Sequence, residues 1–238
     1  MYLPFHAAGP PNDYIQSYTS TLGALIRARS SPQPASPAKI MAIGVSDTKA
    51  HWLARLPSVT QEIEALTQTA SKARVSAIMN ADATFQNIIK VLPNASWLHL
   101  ACHGKQGNAR EPLTSGLMLY DDTKLELATI INMSIPNASF VFLSACETAM
   151  GDVDMVSESL HLAGGMIFAG FKAVIGTLWT IKDADGPEVA QAVYSHIFRD
   201  GGEPNITDTA EALHIAVQHL RKRGISPHRW APFIHIGV

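Results

Sequence analysis

Residues 97–104 read Trp-Leu-His-Leu-Ala-Cys-His-Gly, an apolar run that stops at a histidine and a glycine. A second apolar run, residues 140–145, stops at Cys146. Both runs have the length and apolar content of buried strands. In an open α/β sheet, reactive groups lie outside the carboxyl ends of parallel strands. We therefore expect His103 and Cys146 to meet there, as an imidazole base beside a thiol nucleophile.

The composition is that of a globular intracellular domain. The chain has 238 residues, and 47% of them are apolar, which suffices for one α/β domain with a large core. A net charge of −2, with both signs scattered, argues against nucleic acid or a membrane surface as the main partner. The sequence contains neither a secretion signal nor a membrane-spanning run, so we expect a cytoplasmic protein. Two cysteines are too few for a disulfide scaffold.

Strand-like and helix-like segments alternate along the chain, which predicts a mostly parallel sheet with helices on its faces. The predicted helices are Ser20–Arg29, Val59–Ser71, Thr84–Leu92, Val156–Gly170, Pro187–Phe198 and Asp208–Arg223. The other predicted strands are Lys39–Ser46, Ala173–Trp179 and Trp230–Ile236, with a further one expected between the second and third helices. Asp121 and Asp122 predict a hairpin between residues 116–120 and 124–127. The proline-rich residues 30–37 predict a surface connection within one domain, residues 1–238.

If Cys146 is a nucleophile, a base and hydrogen-bond donors for an oxyanion should lie near it. A free cysteine has a pKa of about 8.5, so it needs an adjacent imidazole, which His103 could supply, to raise the thiolate fraction. Gly104 lets its amide approach a reacting carbonyl, and together with the Cys146 amide it could form an oxyanion hole. A cysteine at a strand end can equally be an inert buried residue.

Three further residues are candidates for substrate binding. Trp179 follows the strand expected beside the Cys146 strand, and with Ser144 it could form a wall of the pocket for a substrate side chain. Asp47, just past the first predicted strand, is the acid on the same rim. The alternative for Asp47 is an ordinary loop or helix-capping role.

A zinc site is the competing interpretation, because His99, Cys102, His103 and Cys146 could supply four ligands. Side chains alternate along a strand, so Cys102 should point away from His99 and His103. The same parity argues against a disulfide between Cys102 and Cys146. We therefore predict no metal, and we expect Cys102 to be buried among apolar side chains.

Six ordered segments together resemble a CHAT domain, a relative of caspases, metacaspases and separases. They are Leu3–Gly9, Leu56–Ile63, Leu100–Gly104, Leu143–Thr148, Gly176–Trp179 and Trp230–Phe233. The resemblance extends from about Leu3 to Gly237 and is greatest to fungal members. It implies a caspase-like three-layer α/β sandwich, a catalytic dyad of His103 and Cys146, and no cofactor.

The resemblance also implies partners and functions. It implies a protein or peptide substrate and a regulatory helical-repeat region outside this chain, and it suggests that an N-terminal edge strand is missing. The function we expect is a cysteine endopeptidase. A catalytically silent CHAT domain that acts in protein interaction or signalling stays open, as does an unrelated α/β hydrolase or ligand-binding domain.

Overall fold

Helices and strands alternate as the sequence predicts. The structure, a computed structural model, describes residues 4–8, 14–31, 37–70, 74–105, 111–144, 146–147 and 156–238. The helices are α1 (Phe5–Ala8), α2 (Leu22–Ser30), α3 (Val59–Thr69), α4 (Phe85–Val91), α5 (Leu127–Asn132), α6 (Val156–Phe168), α7 (Asp185–Ile197), α8 (Thr209–Lys222) and α9 (Pro227–Trp230). The strands are β1 (Ile40–Gly44), β2 (Val75–Met79), β3 (Trp97–Ala101), β4 (His103–Lys105), β5 (Gly116–Met118), β6 (Lys124–Glu126), β7 (Phe140–Leu143), β8 (Cys146–Glu147), β9 (Ala173–Thr177) and β10 (Phe233–Gly237). No helix among these residues combines the length and the apolar character that crossing a membrane requires.

Within the described residues, six strands form a central sheet in the order β10-β9-β7-β3-β1-β2. Its strands run parallel except β10, which is antiparallel to β9. Strands β1, β3, β7 and β9 are buried at every position, because helices cover both faces of the sheet. The predicted α/β class with a mostly parallel sheet is confirmed.

The core lies in two layers, one on each face of this sheet. Alternate residues of β7 enter opposite layers: Phe140 and Phe142 join α3, α7 and α8, whereas Val141 and Leu143 join α5 and α6. Cys102 is fully buried in the second layer, among apolar side chains, as predicted.

The C-terminal segment differs from its prediction. Trp230 ends helix α9 instead of starting a strand, because Pro227 occupies an early helical position and favours a helical turn. Strand β10 begins only at Phe233. On its outer edge, Tyr18 forms an isolated parallel bridge with Ile236. Part of the proline-rich connection, residues 32–36, lies outside the described residues.

A second sheet was not predicted. Within the described residues it has the order β6-β5-β4-β8, and β5 and β6 form the predicted hairpin, with Asp122 at a φ of 61° in the turn. Its other two strands, β4 and β8, follow β3 and β7 in the sequence and pair with each other in parallel. The residues singled out for catalysis are at the start of these two short strands.

Candidate active site

Strands β3 and β7 are neighbours in the central sheet, and the strands that follow them in sequence, β4 and β8, are neighbours in the second sheet. Leu100 pairs with Leu143 in the central sheet, and His103 pairs with Cys146 in the second sheet. Three positions separate Leu100 from His103 and Leu143 from Cys146, so the two sheets pair these segments in the same register. Because paired residues face each other across a spacing of about 4.8 Å, the two backbones are adjacent where His103 and Cys146 lie.

The side chain of His103 makes one hydrogen bond among the described residues. Its side chain is 1% exposed, and Nε2 lies 2.6 Å from the carbonyl oxygen of Ala54. A carbonyl oxygen only accepts, so Nε2 carries a proton and a neutral ring leaves Nδ1 with its lone pair. Among the residues that the structure describes, Nδ1 has no hydrogen-bond partner. The imidazole is therefore oriented as a base whose second nitrogen is available.

The loop after β1 supplies the Ala54 carbonyl, and ionic contacts order this loop. Oδ2 of Asp47 accepts from Nε of Arg55 at 2.8 Å and contacts Nδ1 of His51 at 2.7 Å. The hydrogen bonds from Arg55 and His51 lower the pKa of the Asp47 carboxyl. Lys105, just beyond His103, lies 4.7 Å from the ring of Trp52 in the same loop. The loop is thus tied to both ends of the segment that carries His103.

The structure describes the backbone of Cys146 and not its side chain. The predicted distance between the reactive atoms of Cys146 and His103 therefore stays a prediction. Gly104 is buried, and it pairs with Leu117 on one side and with Glu147 on the other. The role of the Gly104 and Cys146 amides as oxyanion donors also stays a prediction.

The other predicted site residues follow neighbouring strands of the central sheet. In the order β9-β7-β3-β1, Trp179 follows β9, Cys146 follows β7, His103 follows β3 and Asp47 follows β1. All four positions are thus at the carboxyl end of the sheet. Trp179 is half-buried, and its Nε1 donates to the His228 carbonyl at 3.0 Å.

Ser144 is buried, and its hydroxyl is directed into the interior. It donates to Oε2 of Glu62 at 3.0 Å. Its predicted contact with substrate stays a prediction, but its observed partner was not anticipated. Glu62 is on the apolar face of α3, between Val59 and Leu66, and a charged residue on that stripe is a signal that sequence reasoning could have used. The Ala54 carbonyl has no sequence signature at all.

The metal alternative can be compared with the geometry of its proposed ligands. His99 contacts Tyr194 and Glu62 on one face of the sheet, whereas Cys102 is in the core layer on the other face. No cluster of three or more histidine, cysteine, aspartate or glutamate side chains suited to a metal occurs within the described part of the chain.

The fold is that of caspase-like cysteine proteases. Two solved structures that share it are the Arg-specific cysteine proteinase gingipain R and a complex of its pro- and mature domains from Porphyromonas gingivalis, with TM-scores of 0.56 and 0.58. Each is 13% identical to this chain, and the match covers 90% of the chain. The chain spans about half the length of the two structures, 50% and 51%.

The family follows from the sequence itself. A sequence model of the CHAT domain matches residues 2–238, so the chain belongs to the CHAT family. The resemblance to a CHAT domain recognised from the six ordered segments is thereby confirmed, whereas the greater similarity to fungal members stays a prediction. No match was found among curated proteins.

Proposed function

We propose that this CHAT domain is a cysteine endopeptidase in which His103 and Cys146 form the catalytic dyad. The observation that carries the proposal is the continuous register of the two strand pairs, which sets His103 opposite Cys146. The buried imidazole supports it, because its Nε2 is bound to a carbonyl and its Nδ1 has no partner in the described residues. Membership of the family and the shared fold of gingipain R support the same class of enzyme.

The proposed reaction uses these groups in sequence. Nδ1 of His103 takes the proton of the Cys146 thiol, and the thiolate attacks the scissile carbonyl carbon. The amides of Gly104 and Cys146 stabilise the oxyanion that forms. The imidazolium then protonates the leaving amine, and a water molecule hydrolyses the thioester. The Ala54 carbonyl stabilises the imidazolium, since a charge-assisted hydrogen bond is stronger than a neutral one.

The substrates we propose are proteins or peptides, bound between the ends of β1 and β9. Trp179 is proposed as an apolar wall and Asp47 as an acidic contact on the opposite side. Because Asp47 is already bound by Arg55 and His51, a basic substrate group would have to share or displace these partners. We further propose a cytoplasmic setting, in which the thiol stays reduced, and control by a helical-repeat region outside this chain.

One observation favours the second candidate, a catalytically silent interaction module. His103 is 1% exposed, so a substrate reaches its ring only if the surrounding loops open. If the ring stays covered, the domain would bind a partner without cleaving it.

The test compares three forms of the protein in a Cys102→Ala background, which leaves Cys146 as the single thiol. These are the otherwise unchanged protein, Cys146→Ala and His103→Ala. Each is incubated with an irreversible thiol-directed peptide probe and with a cleavable peptide library. We expect labelling and cleavage only in the first. Equal cleavage by the first form and Cys146→Ala would contradict the peptidase, and labelling without cleavage would favour the silent module.

A further inference from the structure

A chain of buried polar side chains connects the nucleophile strand to two helices behind the sheet. We propose that Glu62 and Ser144 are positioning residues, which hold the C-terminal end of β7 and thereby the placement of Cys146 against His103. This inference deepens the proposed peptidase function and rests on it. It assigns to Ser144 a role inside the protein instead of contact with substrate.

The contacts run from β7 through α3 and β3 to α7. Ser144 donates to Oε2 of Glu62 at 3.0 Å, and Oε1 of Glu62 lies 3.1 Å from Nε2 of His99. The latter contact does not meet the geometry of a hydrogen bond. Nδ1 of His99 lies 3.0 Å from the hydroxyl of Tyr194. Glu62 is 3% exposed, and His99 and Tyr194 are fully buried, so solvent does not compete for these groups.

The surroundings are shaped to receive the carboxylate. Gly186, in the first turn of α7, faces it, and a Cβ atom there would lie 2.7 Å from Oε2 of Glu62 and 3.1 Å from Oγ of Ser144. The N-terminal end of a helix favours a negative charge. Burial and the charge of Glu62 raise the pKa of Tyr194, so its hydroxyl keeps its proton and can bond to His99.

The stability of the fold alone does not explain this buried polar network. Replacing a buried charged group and its partners by apolar side chains of similar size is often neutral or stabilising. The position of Ser144 suggests what the network does instead. Its backbone amide donates to the Leu100 carbonyl at 2.9 Å, so among the described residues Ser144 ties the end of β7 to β3 two positions before Cys146. The hydrogen bond from the Ser144 hydroxyl to Glu62 holds the side chain of Ser144, while the amide holds its backbone.

The decisive variant is Ser144→Ala, which removes one hydroxyl and leaves the contact between Glu62 and His99 intact. Its matched control is Thr209→Val, because Thr209 is fully buried and its hydroxyl bonds to His235 at 2.9 Å and to the Ile206 carbonyl at 2.6 Å, away from the dyad. Glu62→Gln serves as the conservative variant, since its amide oxygen can still accept from Ser144. All are made in the Cys102→Ala background.

Two measurements are made besides the melting temperature. The first gives kcat and KM on a cleaved peptide. The second is the rate of Cys146 alkylation by iodoacetamide against pH, which needs no peptidase activity. An imidazole partner shifts the midpoint of this profile below the value of about 8.5 for an isolated thiol.

We expect Ser144→Ala to lower kcat about 10- to 100-fold with KM nearly unchanged, because a displaced nucleophile loses attack geometry. We also expect its alkylation midpoint to move towards about 8.5. Thr209→Val should lose melting temperature to a similar extent and leave both readouts unchanged, and Glu62→Gln should stay close to the parent.

A Ser144→Ala protein with the kcat and alkylation profile of Thr209→Val would overturn the positioning role, whatever its melting temperature. Failure of the peptidase proposal looks different. In that case the parent would cleave nothing, and the alkylation profile alone would decide. A shifted midpoint in Ser144→Ala would support positioning of the thiol, and an unshifted one would overturn it.

Discussion

His99 and His103 lie on the same segment, four positions apart, and both are buried, yet the two sheets give them different environments. In the central sheet, His99 contacts Tyr194 through one nitrogen and Glu62 through the other. In the second sheet, His103 has only the Ala54 carbonyl among described partners, on Nε2. The His99 ring has a close neighbour at each nitrogen, although its contact with Glu62 is not a hydrogen bond, and these neighbours hold it in place. A ring engaged on one side is oriented and still reactive.

The largest expected effect concerns the reactive ring. His103→Ala and Cys146→Ala should each lower kcat/KM by about four orders of magnitude, and the double variant should lose little more, because the two groups act as a unit. Unfolding in urea should show a smaller change than for His99→Ala, since His103→Ala removes one hydrogen bond to a backbone carbonyl, worth about 1 kcal/mol, and the packing of one buried ring, and leaves no buried carboxylate without a neighbour. Additive losses in the double variant would contradict a dyad.

The next effect concerns the ring engaged on both sides. His99→Ala should destabilise the fold by about 3–5 kcal/mol, because it leaves the buried Glu62 without its neighbour. The free energy of unfolding in urea measures this. A loss no larger than that of His103→Ala, measured alongside, would remove the distinction between the two histidines.

A third buried histidine, His235, also has a partner at each ring nitrogen and shows how burial affects the charge of such a ring. His235 contacts Ser17 at 2.7 Å and Thr209 at 2.9 Å, and burial lowers its pKa from 6.5 to about 4. The unfolded chain then binds the proton more readily than the folded one. The neutral His235 ring therefore makes its full contribution to the free energy of unfolding above about pH 6.5. This contribution is lost as the pH falls towards 4, by about 3 kcal/mol in total.

The measurement is the pH dependence of unfolding for the parent and His235→Gln. The variant removes the titrating ring, so its stability should fall less steeply between about pH 6.5 and 4 than that of the parent. Parallel curves would mean that other groups account for the acid sensitivity.

The sequence predicted the central sheet well, because long apolar runs and amphipathic helices follow from burial on two faces. It also predicted that the backbones of His103 and Cys146 lie next to each other, because neighbouring parallel strands end at the same edge of a sheet. Strands β4 and β8 were missed because strands of three and two residues are too short to show a periodic pattern. Their pairing depends on β3 and β7 being in register, which only the tertiary structure shows.

Glu62 and Ala54 were missed for different physical reasons. A glutamate in a helix is usually solvated, and the burial of Glu62 depends on partners from β3, β7 and α7 that are distant in sequence. The contribution of Ala54 comes from its backbone carbonyl, so its side chain carries no information about it.

The smallest expected effect tests how closely the helices approach the engaged region. Gly186→Ala places a Cβ atom 2.7 Å from Oε2 of Glu62, which forces the carboxylate or α7 to move. We expect a loss of about 1–3 kcal/mol in the free energy of unfolding, as for other overpacked sites. The matched control is Gly164→Ala in α6, where no described atom outside the backbone of the helix itself lies within 4 Å of the added atom. There the same change should stabilise the helix by about 0.5–1 kcal/mol, because alanine loses less conformational entropy than glycine. A gain at both positions would mean that Glu62 can shift freely, and the region around His99 would then be no more constrained than that around His103.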